Sequence, residues 1–234
     1  MIQKNEYIRE SDQKFKEIEG LKWFPWIGKN YDKIPQKNRL LIIGESHYHD
    51  GKIESIKKHK TPYYTRIAID EFAVNRNYYN IKIYKNLHLC LFGNDEFKSE
   101  SFWNSVSYYN FVQNVMNTNK GRPNFHDFLK GWTLFFKMID IINPSICLFV
   151  GVESSKSLNL GIETFKNFSI NNIEVHDKIS GTYPRTTNIY NEKKYTYQTI
   201  FMQHTSSRIS WKKWNRFLND KIGNQLNWYR ENII

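Results

Sequence analysis

Two clusters in this chain carry groups able to move protons and hold a substrate. Gly44-Glu45-Ser46-His47-Tyr48-His49 offers a carboxylate, a hydroxyl, two imidazoles and a phenol in one short stretch. Gln203-His204-Thr205-Ser206-Ser207 sets an imidazole among hydroxyls. A carboxylate can stabilise developing positive charge or orient a water, and an imidazole can donate to an oxygen where negative charge accumulates. Asn110 presents a donor and an acceptor together, the pattern that reads a base edge or any amide-like group. His47-x-His49 at a strand end is also a metal-ligand spacing, although Asp50 follows His49 directly and departs from the H-x-H-x-D-H form.

These clusters need a scaffold, and the chain supplies one. Each follows an apolar run: Arg39–Ile43 opens into Gly44, Ser105–Tyr109 into Asn110, Ser145–Val150 into Gly151-Val152-Glu153-Ser154-Ser155, and Thr199–Met202 into Gln203. Short apolar runs separated by helical stretches read as strands of an α/β fold with a central, mainly parallel four-stranded sheet. Ligands bind at the carboxyl ends of such strands, so the first and last ends mark the expected site. Helices are expected over much of 1–19 with Gly20 as the stop, from Pro62 through Arg76, from Phe125 to Ile142 ahead of Asn143-Pro144, over 153–168, and from Ser207 to the end with a break near Gly223. Residues 78–104 fit helix or irregular structure. Loops are expected from Glu45 to about Thr61 and over Asn117–Asn124, and Asn172–His176 and Thr196–Phe201 are short strand candidates around a polar loop. Without repeats or a linker, the reading is one domain, with a lead-in over 1–37 and a core over 38–234.

Composition narrows the partners. The 234 residues carry 34 Lys+Arg against 23 Asp+Glu, a formal charge of +11. That excess suits a polyanion, since Lys/Arg neutralisation of phosphates supplies most sequence-independent nucleic-acid affinity. Aromatics make up 16% of the chain, seven of them Trp, and aromatics among basic residues suit base stacking. The Trp211/Trp214 pair reads as helix packing, whereas Lys212, Lys213 and Arg216 on the same helix could reach phosphates. Two cysteines, Cys90 and Cys147, sit inside apolar runs and read as buried reduced thiols. Their number excludes a Cys-ligated iron–sulfur cluster. The first residues lack an apolar signal core, and no stretch reaches the roughly 18–20 apolar residues that span a bilayer. A cytoplasmic monomer is the expectation.

The ordered set of motifs resembles the uracil-DNA glycosylase superfamily. Gly44-Glu45-Ser46-His47-Tyr48-His49 is similar to the G-Q-D-P-Y-H loop of these enzymes, and its Gly-Glu start to the G-E-A-P-G variant. His204-Thr205-Ser206-Ser207-Arg208-Ile209-Ser210 is similar to their H-P-S-P-L-S loop. Asn110 through Arg122-Pro123 resembles the strand-end Asn and the loop ending in Arg-Pro, and Asn143-Pro144 with Gly151 matches the segment around the third strand. The resemblance covers roughly residues 38–215. It implies a three-layer α/β/α domain and a monofunctional DNA glycosylase that hydrolyses the N-glycosidic bond of an everted pyrimidine, with no metal and no cofactor. By the same resemblance Glu45, Ser46 and His204 would be catalytic, Asn110, Tyr48 and His47 would bind the base, and Ser206, Ser207, Arg208, Ile209, Lys212 and Lys213 would contact DNA, with Arg208 or Ile209 as the wedge that fills the gap.

The departures carry information. Ser46 stands where the family has Asp and cannot act as a carboxylate, which leaves water activation to Glu45. His47 and Thr205 replace prolines. These changes suit a base other than uracil, such as a modified cytosine of phage DNA, whereas Tyr48 argues the other way because the matching ring excludes groups on C5. No Lys stands in the strand-end motifs, so a lyase step lacks its amine nucleophile. Two rival readings remain: a metal-dependent hydrolase using Glu45, His47, His49 and Asp50, and a catalytically inactive DNA-binding module of the same fold.

Overall fold

Apolar strands whose two faces can both be covered form the centre of the molecule. The computed structural model describes residues 7–48, 57–75, 81–94, 98–116 and 121–234. In chain order the elements are α1 (Asp12–Lys16), β1 (Trp26–Ile27), β2 (Leu40–Tyr48), α2 (Tyr64–Ile69), α3 (Lys82–Phe92), α4 (Ser99–Trp103), β3 (Ser107–Met116), α5 (Phe125–Ile142), β4 (Ile146–Val150), α6 (Leu158–Glu163), β5 (Phe168–Ile170), β6 (Glu174–Val175), β7 (Arg185–Asn191), β8 (Thr196–Met202) and α7 (Trp211–Asn232). The expected loop residues Asn117–Lys120, the outset of the N-terminal helix and much of the expected loop after Tyr48 lie outside the described residues.

Among the described residues the sheet has eight strands in the order β1-β3-β2-β4-β8-β7-β5, with β6 paired to β7. The expectation of four strands is corrected accordingly. The parallel centre, β3-β2-β4-β8, is built from the four apolar runs. β1 adds antiparallel at one edge, and β7 with β5 and β6 adds an antiparallel half at the other. β7 offers no apolar run to read: of Arg185–Asn191 only Thr187, Ile189 and Asn191 are buried, and two of those are polar.

Alternation along the strands divides the core in two. Leu41, Ile43, Cys147, Phe149 and Phe201 pack under α5 against Phe128, Trp132, Phe135 and Ile139. Leu40, Ile42, Ile146, Leu148 and Ile200 pack on the other side against Leu87 and Leu91 of α3 and Trp214, Leu218 and Leu226 of α7. Helices therefore cover both faces. Cys90 and Cys147 are buried free thiols within these layers, and burial pushes the Cys90 thiol up to about 12. Among the described residues no helix is long and apolar enough to cross a membrane.

Local signals set the helix ends. Asn124 accepts from the Asp127 amide while the Asp127 carboxylate accepts from the Asn124 amide, both at 3.0 Å, a capping box that starts α5. Asn143 ends it in the left-handed region (φ 50°) ahead of Pro144. α7 kinks at Ile222, one residue before Gly223. Gly20 takes φ 86° as a stop should, but the N-terminal helix it follows is only α1, and Ile8 of the expected apolar stripe is 50% exposed. A buried ion pair fixes that segment instead: Arg66 on α2 meets Asp12 at 2.6 Å and donates to the Pro25 carbonyl at 2.8 Å. Over the expected helical stretch 153–168, a 3-10 helix (Glu153–Ser157) runs directly into α6, and the helical part stops at Glu163 ahead of β5.

Candidate functional site

β2 and β3 run further than their apolar segments. β2 continues through Gly44, Glu45, Ser46 and His47 to Tyr48, and β3 continues through Asn110 to Met116, so the motifs expected as loops sit within strands. That extension decides which side chains meet. Gly44 is a close-approach position: a Cβ there would lie 2.1 Å from Asn110 Oδ1 and 2.2 Å from the Tyr108 hydroxyl oxygen. Asn110 therefore belongs to the sheet face opposite Glu45, and its Oδ1 accepts from the Tyr108 hydroxyl at 2.8 Å.

The next step along β2 breaks the alternation. The register with β3 shifts between Ser46 and His47, a bulge of the kind that re-aims side chains. The His47 ring packs edge-on against Trp23 and Tyr64, and its Nε2 lies 3.0 Å from Thr65 Oγ1. Burial first, then the neighbouring His59, lowers its pKa to about 3, so this ring is neutral at ordinary pH. Ser46 is buried, and its hydroxyl has no hydrogen-bond partner among the described residues. Beyond the bulge Tyr48 returns to the side of Glu45.

On that side a cleft of about 460 Å³ opens at the carboxyl ends of the parallel strands. Glu45, Arg122, Gly151, Thr182, Gln203 and His204 are among its lining residues. This volume is within the about 300–1,000 Å³ usual for small-molecule sites. Arg122 donates to Glu45 Oε1 at 3.4 Å and to the Tyr48 hydroxyl at 3.2 Å. The Tyr48 hydroxyl lies 3.5 Å from the same carboxylate oxygen. The Glu45 side chain is 8% exposed and that of Arg122 65%. Burial raises the Glu45 pKa, and the opposing Arg122 charge and hydrogen bonds do not cancel the rise. Gly151, at φ 145°, lets the carboxylate in: a Cβ there would sit 3.3 Å from Glu45 Oε2.

His204 is held from behind. Ser206 presents its amide at 3.3 Å and its hydroxyl at 2.7 Å to His204 Nδ1. A backbone N–H can only donate, so Nδ1 is the acceptor and the neutral ring carries its proton on Nε2. Burial and then the Arg122 charge lower the His204 pKa to about 4. Ser207 Oγ donates to the His204 carbonyl at 2.6 Å, and Gln203 ties Ser207 to the start of α7 by donating to Ser207 Oγ at 3.0 Å while accepting from Trp214 Nε1 at 3.2 Å. The site thus combines a desolvated carboxyl, a fixed neutral imidazole N–H donor and a largely exposed guanidinium in one cleft.

The sequence-derived set divides. Glu45 and His204 line this cleft and Tyr48 borders it through Arg122 and Glu45, whereas Asn110, Ser46 and His47 are not among its lining residues. Ser206, Arg208, Lys212 and Lys213 are exposed, Ser207 lines the cleft, and Ile209 is partly buried and packs against the core. Trp214 is fully buried. His49 and Asp50 lie outside the described residues, and among those described no group of three His, Cys, Asp or Glu could hold a metal ion. The sequence reading did not name Arg122, Gly151, Gln203 or Thr182 as site residues. Arg122 had a signal, since it ends a polar loop directly before a capping-box helix start. No family model matches the chain, and no curated protein matches it.

Proposed function

We propose that the protein is a monofunctional DNA glycosylase that hydrolyses the N-glycosidic bond of a nucleotide rotated into the cleft, leaving an abasic site. The observation that carries this reading is the meeting of Glu45 and His204, distant in sequence, in one cleft at the carboxyl ends of β2 and β8. The bond from C1′ to the base breaks with its electron pair leaving on the base, and charge accumulates on a base carbonyl oxygen. His204 Nε2–H donates to that oxygen. Glu45, ionised with the help of Arg122, stabilises the oxocarbenium-like sugar and orients the water whose oxygen joins C1′. The water's second proton ends on the released base or in solvent.

The substrate class is a pyrimidine, either uracil or a modified base such as a modified cytosine. Ser46 in place of a carboxylate leaves water activation to Glu45, the buried acid of the cleft, since the other lining acid, Glu153, is half exposed and paired with Lys156 at 2.6 Å. The excess of positive charge and the exposed Arg208, Lys212 and Lys213 in the segment that follows His204 support a DNA partner. The three-layer, glycosylase-like arrangement belongs to the same proposal, as does the absence of a metal requirement.

The test is incubation with oligonucleotides carrying uracil, hypoxanthine or modified cytosines, followed by alkaline cleavage at abasic sites. Wild type should produce breaks at one of these bases, with chelator making no difference. Glu45→Gln and His204→Ala should not. Breaks that persist in both variants would overturn the assignment, loss of activity to chelator would favour the metal hydrolase, and salt-sensitive binding without any breaks would favour the inactive module.

A further inference from the structure

A nucleotide held in the cleft leaves bases exposed on either side of it, and two exposed aromatic side chains stand within two residues of cleft-lining positions in the sequence. Among the described residues the large hydrophobic side chains left exposed are Ile8, Phe125, Leu160, Val175, Tyr183 and Tyr195. Phe125, 53% exposed, follows the cleft-lining Arg122-Pro123, and Tyr183, 51% exposed, follows the cleft-lining Thr182. They come from opposite ends of the central strand order: Arg122 to Phe125 follow β3, and Thr182-Tyr183 precede β7.

Both rings are presented on firm supports. Phe125 is the first residue of α5, immediately after the capping residue Asn124. Tyr183 sits on the tip of the hairpin joining β6 to β7. There Ile179 and Thr182 exchange backbone hydrogen bonds of 2.8 and 2.9 Å. Ser180 and Gly181 between them have φ of 50° and 88°, the positive-φ pair of a tight I′ hairpin turn. Ile179 packs on the core, and Ser180 Oγ accepts from the Ser210 amide at 3.2 Å, tying the tip to the loop that follows His204. Arg185 anchors the base of the hairpin through Ser155 Oγ at 2.8 Å. Lys178 lies 5.4 Å from the Tyr183 ring centre, and the acidic Glu174 is engaged by Thr186 at 3.3 Å.

We propose that Phe125 and Tyr183 are stacking platforms for the bases on the two sides of the nucleotide in the cleft, so that the protein grips an unpaired stretch of DNA. The inference rests on the DNA reading above but assigns contacts that reading does not contain. Stacking is sequence-tolerant and matters most where bases are unpaired. Lys178 adds a cation beside one platform.

The experiment measures fluorescence anisotropy of a labelled single-stranded oligonucleotide with a central uracil, and the quenching of 2-aminopurine placed at each neighbouring position. Phe125→Ala and Tyr183→Ala should each weaken binding about tenfold and relieve quenching at opposite neighbours, whereas Tyr183→Trp should retain both. Tyr195→Ala, at a comparably exposed tyrosine (47%) just ahead of β8 with no cleft-lining residue next to it in the chain, should bind like wild type. Unchanged affinity in both platform variants, with abasic sites still formed by wild type, would overturn this inference alone. Ring-dependent binding with no base released would support it while removing the glycosylase reading. Failure of wild type to bind the oligonucleotide while it still forms abasic sites in other DNA would overturn this inference alone, and failure both to bind it and to release any base would overturn both.

Discussion

The two faces of the sheet at the end of β2 are built from neighbouring residues yet are chemically opposite. On one face Glu45 meets Arg122, Tyr48 and the cleft that His204 lines. On the other, Gly44 is pressed against Asn110 and Tyr108, and past the bulge His47 is enclosed by Trp23, Tyr64 and Thr65. The first face keeps polar atoms available to a ligand at the cost of desolvating a carboxyl. The second spends its polar atoms largely on one another, the Ser46 hydroxyl excepted. Residue type alone does not separate a catalytic set from a structural one; strand direction and burial do.

The comparison is most sharply tested by turnover. Glu45→Gln and His204→Ala should each lower base release by about 10²–10³-fold or more, with melting temperature nearly unchanged. A comparable loss from Asn110→Ala, without loss of stability, would erase the distinction between the faces.

The opposite pattern is expected at Gly44. Gly44→Ala forces a Cβ into Asn110 and Tyr108 and should destabilise the fold by on the order of 3 kcal/mol. Denaturant melts measure this, and wild-type stability in the variant would show that the second face is loosely packed.

Acid should act through the imidazoles. His47 and His204 have pKa values depressed to about 3 and about 4, against an ordinary 6.5. The unfolded chain therefore takes up protons first as pH falls below about 6.5, and stability drops by up to about 1.4 kcal/mol per pH unit for each histidine until its folded value is reached. Replacing His47 by Gln should flatten that dependence in urea titrations at a series of pH values. An unchanged slope would mean that His47 is not the buried neutral group described.

A smaller shift is expected from Arg122→Ala. Arg122 lowers the Glu45 pKa against the larger opposing effect of burial. Its removal should move the acidic limb of the rate–pH profile to higher pH, and a limb that stays put would separate the two groups functionally.

Much of the scaffold was legible. The four apolar runs became the parallel centre, and α5 spans the expected Phe125–Ile142 because its apolar spacing and its end signals agree. β7 was not legible because its buried positions include polar residues that are satisfied locally, as where Thr187 Oγ1 donates to the Asn171 carbonyl at 3.1 Å. Glu45 and His204 were legible as strand-end chemistry, whereas the separation of Asn110 and His47 from them was not. A motif read as a loop carries no face, and only the continuation of β2 with its register shift assigns one.

By itself the sequence determined the order of elements, the charge that favours a polyanion and the chemical groups near the site, because composition and periodicity are local properties of the chain. Only the tertiary structure decided that Arg122 would pair with Glu45, that Ser206 would fix the His204 tautomer, and that Ile209 would pack partly against the core. Those outcomes depend on which faces meet across long separations in the chain, and pairwise burial in space is not written in any one segment.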